Sequence, residues 1–274
     1  MFRGKTTDKA NIKAIVSSVI KGDMTSLEKT SKLVFWMNSE FSWISNDYQN
    51  RSASEIILRK AGHCGEQTKV MTVLLDEANV KYRIVQEINL QARSRSRLKN
   101  SRERIKQVGF TASVFGRRHN DHRWVEIYDD KDNLWEPADA TTGIVGTKAW
   151  IEARVGFSPR HGEVKAKGLL VPFVVVTEQN RIDRTSYYLI EQFNLYYCNK
   201  LGDLPSWGAW VLKVQSLSAA GIKAFHGDVN LHLFDDQMGD LAKIYNKLKT
   251  EASALFPPQR KKWNLEALVE WAKG

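Results

Sequence analysis

Only two cysteines, Cys64 and Cys198, occur in 274 residues. Two thiols exclude a disulfide framework and leave at most one bridge, which is the weaker reading because Cys64 has a better explanation. Without a bridge, either redox compartment is permitted. No apolar run approaches the roughly 18 residues that span a bilayer. The opening MFRGKTTDKANIKAIV lacks the apolar stretch of a secretory leader. The default expectation is a cytoplasmic protein, or an exported one if a leader has been removed. G-x-G-x-x-G and P-loop patterns are missing, so no nucleotide cofactor is indicated. Zinc-finger spacing and RNP-like runs are missing as well. No metal and no cofactor are expected.

What is present is ordinary in bulk and uneven in detail. Apolar residues make up 42% and charged residues 26%, as in soluble globular chains. The formal charge is +10, and much of it sits in RSRSRLKNSRERIK. There Arg93, Arg95, Arg97, Lys99, Arg102, Arg104 and Lys106 face the single acid Glu103. The plain reading is a solvated loop or an outer helix face. The functional reading is an anion site, built chiefly from Arg93, Arg95, Arg97, Arg102 and Arg104, for an acidic partner or a polyanion. No aromatics interleave with these charges, so the segment makes a poor stacking platform for single strands.

Periodicity divides the chain. Residues 26–41 read as a helix with Leu27, Leu33, Val34 and Met37 as its apolar stripe and Thr25 or Ser26 as its cap. SASEIILRKAG (52–62) reads as a second helix, with a Ser52/Glu55 capping box and Gly62 as its stop. A third starts at or next to Cys64 and runs to about Ala78. The period then changes to two. Residues 80–88, 110–116 and 122–129 read as strands, the last two paired around the turn RRHND, and 134–141 follows the polar turn DDKDN. That turn lacks the glycine and downstream glutamate of a calcium loop. Further on, LLVPFVVVTE reads as a buried strand. Helical stretches follow near 185–199, 206–220, 237–255 and 264–272. Trp207 and Trp210, at near-helical spacing, read as core rather than as a binding groove. The pattern is α+β. The expected division is 1–145, with a basic insertion at about 91–108, and a mostly helical extension over 146–274.

Cys64 stands where a helix should begin. Unpaired N–H groups and the helix dipole favour a thiolate there. Gly62 and Gly65 would let backbone approach a substrate, and the Cys64 N–H could serve an oxyanion. The plain alternative is a buried, inert thiol. A cysteine nucleophile needs a base, and the base an orienting group. His63 is adjacent, but neighbours on a helix or its cap point about 100° apart, which makes it a poor partner. His122 shares a strand face with Trp124, Glu126 and Tyr128, while Val125 and Ile127 take the other. Asp139 lies 17 residues on, a spacing that suits two short paired strands, so His122 and Asp139 can be cross-strand neighbours. His119, Asp121 and His122 could hold a metal, but a turn histidine beside a catalytic one is simpler.

A glycine–x–cysteine at a helix start, then a strand, then HRWVEIY, then LWEPADAT resembles the transglutaminase-like superfamily over roughly residues 53–142. The resemblance implies a papain-like α+β core, with the cysteine helix packed on an antiparallel sheet. It implies Cys64 as nucleophile, His122 as general base and acid, and Asp139 as the residue that holds the imidazole. Trp124 and Trp135 would be framework. Arg123 stands where a small residue is usual, the segment between cysteine and histidine is long and basic, and residues from about Thr147 match nothing familiar. For the oxyanion donor upstream of the cysteine, Trp43 and Gln49 are the candidates. The expected activity is thiol-dependent acyl transfer on peptide or protein amides, hydrolysis rather than crosslinking. The alternatives are a non-catalytic binding or assembly module on the same fold and a polyanion-binding protein that uses residues 93–106.

Overall fold

The N-terminal helices are set by their caps. Helix α2 (Ser26–Glu40) starts at Thr25, whose hydroxyl accepts from the Glu28 N–H while the Glu28 carboxylate accepts from the Thr25 N–H. Helix α3 (Ala53–Arg59) starts at Ser52 with the same reciprocal pair to Glu55, as its sequence predicts. The computed structural model describes residues 4–44, 50–89, 122–155, 173–225 and 232–255. Helix α1 (Gly4–Val19) precedes α2, strand β1 (Ser42–Trp43) lies between α2 and α3, and β2 (Ala61–Gly62) follows α3.

Gly62 does not end α3. Lys60 does, in the left-handed region at φ 50°, and Gly62 belongs to β2, which pairs in parallel with β1. Gly62 is needed for another reason. A Cβ there would meet the Cβ of Glu66 at 2.9 Å. Helix α4 (Cys64–Glu77) follows at once and buries Val70, Met71, Leu74 and Leu75.

A five-stranded sheet forms the middle of the molecule in the order β6-β5-β4-β3-β7, every pairing antiparallel. Its strands are β3 (Tyr82–Asn89), β4 (His122–Asp129), β5 (Leu134–Asp139), β6 (Ile144–Val145) and β7 (Phe173–Thr177). The fold is α+β, as the switch in period implies. Strand β4 is flanked by β3 and β5; the stretch 110–116, expected to pair with it, lies outside the described residues. DDKDN is the turn from β4 to β5, with Asn133 at φ 52°.

Alternation along β4 sends its side chains into two cores. Val125 and Ile127 join Leu33, Met37, Ile56, Val70 and Leu74 under helices α1 to α4. Trp124 faces the other way, with Val85 and Val175. That second face is covered by α5 (Thr147–Val155), a π-helical stretch (Tyr187–Gln192), α6 (Phe193–Tyr196), a 3-10 turn (Leu201–Asp203), α7 (Trp207–Phe225) and α8 (His232–Leu255). Trp210 is fully buried there, in accord with its reading as core. The helix expected at 264–272 lies outside the described residues.

One charge is buried between the sheet and this cover. Glu126 is fully inaccessible and meets Arg83 of β3, Arg184 and the Tyr188 hydroxyl. The Arg83 guanidinium also lies 4.1 Å from the centre of the Trp135 ring, and that of Arg184 lies 3.7 Å from the centre of the Tyr187 ring.

Candidate active site

The first turn of α4 carries Cys64, as its sequence predicts, and His63 caps it. His63 has extended backbone (φ −80°, ψ 172°), its Nδ1 accepts from the Gly65 N–H at 3.1 Å, and the Glu66 carboxylate accepts from the His63 N–H at 3.3 Å. The spacing of about 100° expected between His63 and Cys64 therefore does not apply at this cap. A helical wheel does not describe a cap residue outside the helix. The imidazole folds over the first turn, where it helps to hold down the pKa of the thiol. Two further bonds fix this turn. Gln67 Nε2 donates to the Gly62 carbonyl at 3.0 Å, and Thr68 Oγ1 donates to the Arg123 carbonyl at 3.0 Å. The second ties α4 to β4 beside His122. Arg51 anchors the same turn through Glu66 at 2.8 Å.

Strand β4 begins at His122, and β5 ends at Asp139. The register Val125↔Ala138 puts Asp139 level with Trp124, so His122 and Asp139 are diagonal rather than directly opposed. They still meet: His122 Nε2 lies 2.6 Å from Asp139 Oδ2. Asp139 is almost wholly buried, and its other contacts hold the carboxylate still. Oδ2 also accepts from Thr142 Oγ1 at 2.7 Å, and Oδ1 accepts from the Thr141 N–H at 3.0 Å. The latter is an Asx turn, the aspartate accepting from the backbone N–H two residues on, past Ala140. Trp124 packs beside the imidazole, with ring centres 5.8 Å apart.

The charges reinforce one another. Burial raises the pKa of the Cys64 thiol, but hydrogen bonds from His122 and His63, the charge of His122 and the Arg123 N–H outweigh it and bring it to about 6. Burial lowers that of His122, but the charge and hydrogen bond of Asp139, with the thiolate, lift it to about 10. Between those values the pair is a thiolate and an imidazolium. Nε2 is engaged by Asp139, which leaves Nδ1 as the ring's other donor, toward sulfur. The arrangement provides a nucleophile and a proton donor in contact.

Trp43 lies on β1 opposite Gly62, two residues before Cys64, and its side chain is 62% exposed. Gln49 is outside the described residues, as are His119, Asp121 and the basic positions Arg93, Arg95, Arg97, Arg102 and Arg104. Among the described residues no group of three His, Cys, Asp or Glu side chains could hold a metal ion, and no helix is long and apolar enough to cross a membrane.

Residues 13–140 match the model of the transglutaminase-like superfamily. No curated protein sequence matches the chain. Among solved structures, a candidate cysteine protease from Cytophaga hutchinsonii is similar at 15% identity and a TM-score of 0.35, over 50% of this chain and 41% of its own. A chain of the Rad4–Rad23 complex bound to a 6-4 photoproduct UV lesion is similar at 10% identity and a TM-score of 0.32, over 91% of this chain and 54% of its own. The chain thus spans about half the length of either.

Proposed function

Taking as premise that residues 13–140 form a transglutaminase-like core, we propose that the protein catalyses thiol-dependent acyl transfer on peptide or protein amides, with water as the acceptor. The observation that carries this is Cys64 at a helix start, hydrogen-bonded to a His122 that Asp139 holds at 2.6 Å. A merely structural thiol has no need of a charged imidazole, and a half-buried Cys–His pair on a buried Asp139 is costly unless each member has its partner.

The Cys64 thiolate attacks the amide carbonyl. The oxyanion that forms lies near the positive end of α4. His122 gives its proton to the leaving amine, the C–N bond breaks, and a thioester to Cys64 remains. Neutral His122 then takes a proton from water as the water adds to the thioester. Collapse releases the acid and expels Cys64 as thiolate beside the imidazolium that the proton from water has renewed. Asp139 keeps the ring oriented throughout. An amine that took the place of water would give a crosslink instead.

The test is the rate of iodoacetamide alkylation at Cys64 against pH, read site by site with exposed Cys198 as the internal reference. Cys64 should react well below pH 8, and His122→Ala should remove that low-pH reaction. An alkylation profile like that of an ordinary thiol, near pH 8.5, would sink the proposal. Peptide amides with and without a primary amine then separate hydrolysis, which releases free acid, from transamidation.

A further inference from the structure

Arg123 follows His122 directly, and its main-chain N–H engages the Cys64 sulfur. Its side chain therefore starts beside the reacting atom. It takes the same sheet face as Val125, toward α4, and a Cβ at position 65 would lie 3.9 Å from Arg123 Cδ. The stem of Arg123 thus runs past the first turn of α4, the turn that carries Cys64. Its guanidinium ends near solvent, 40% exposed, with the Glu178 carboxylate at 3.4 Å and itself 38% exposed.

That ion pair differs from the other arginine pairs of the sheet. Arg83 and Arg184 are locked onto Glu126, which water does not reach. An exposed pair such as Arg123–Glu178 is weak, so another carboxylate can displace Glu178 at little cost. A guanidinium offers a planar fork that fits a carboxylate with two parallel bonds. The helix N-terminus and the net charge of +10 give the surroundings the same sign.

We propose that Arg123 is the specificity-determining residue of the Cys64 site and that the acyl donor is an acidic peptide, with its carboxylate on one of about two residues next to the reacting carbonyl, at roughly 3.3 Å per residue. The inference rests on the function proposed above. On binding, the substrate carboxylate takes the place of Glu178 on the guanidinium. No covalent step is added. The energy of the new pair holds the reacting carbonyl against the sulfur.

The experiment uses two sets of peptidyl chloromethyl ketones that differ only in Glu or Gln at the first or second residue from the reactive group. The second-order rate of Cys64 labelling is read by mass spectrometry, with no turnover required. One Glu probe should label Cys64 about tenfold faster than its Gln partner, the size of a 1.4 kcal/mol preference. Arg123→Gln should bring that ratio to about one, Arg123→Glu should invert it, and Glu178→Gln should raise it. Equal rates for Glu and Gln probes in the unsubstituted protein, or a ratio that survives Arg123→Gln, overturn the inference while Cys64 remains reactive. Labelling of Cys64 no faster than that of Cys198 overturns the function itself, and the inference with it.

Discussion

At the scale of single residues, the site depends on one carboxylate. Asp139 opposes the cost of burying the His122 imidazolium, and the imidazolium in turn opposes the cost of burying the Cys64 thiolate. The signs follow. Cys64 loses its proton as pH rises through about 6, and His122 keeps its own until about 10, so turnover that needs both forms should plateau between those values. Asp139→Asn removes the charge that lifts His122. Burial then dominates, the imidazole becomes neutral, and the thiol moves back toward the ordinary value near 8.5. Alkylation of Cys64 at pH 7 should fall about tenfold or more, with recovery above pH 9; an unchanged profile would mean that Asp139 is only a packing residue. Gly62 is a second single-residue dependence. Gly62→Ala places a Cβ 2.9 Å from that of Glu66, at the first turn of α4. The expected result is a chain that keeps its far-UV circular dichroism but loses most low-pH reactivity at Cys64, since the cap that orients the thiol is displaced.

At the scale of elements, caps and periods in the sequence decided most of the helices and strands. The Thr25 and Ser52 boxes start α2 and α3 where their hydroxyls and glutamates stand three apart. Gly62 was misleading, because a glycine after a helical run is usually a stop, while here the space is taken by a side chain from the next helix. His63 was misleading too: its effect comes from the bend at the cap. The ion cluster on β4 had no sequence signal beyond Glu126 sharing a face with Trp124, since its arginines come from β3 and from residue 184, a strand and a segment apart. Glu126→Gln leaves Arg83 and Arg184 facing each other across a buried, neutral amide. Chemical denaturation should show a loss of about 3–5 kcal/mol, the usual cost of removing one partner from a buried ion pair. A loss under 1 kcal/mol would mean that water reaches the arginines.

At the scale of the whole molecule, the sheet is shared. Strand β7 pairs with β3 along Val85 to Asn89, and Trp150, Tyr188 and Trp210 share one core with Val85 and Trp124. A chain cut after residue 145 would bare the edge of β3 and one full face of the sheet, the kind of surface that aggregates. Expressed alone, residues 1–145 should be insoluble or bind a hydrophobic dye strongly; a soluble, cooperatively unfolding fragment would show that the first part folds independently. The sequence by itself determined the α+β class, the helix that begins at Cys64, the strand faces of β4 and the spacing of His122 from Asp139, because caps, periods and turns act over a few neighbours. The tertiary structure alone decided that His122 meets Asp139 on the diagonal, that Arg123 reaches Glu178, and that helices from Thr147 onward cover the second face. Those contacts join residues far apart in the chain, and their geometry is set by register and packing, which no local pattern encodes.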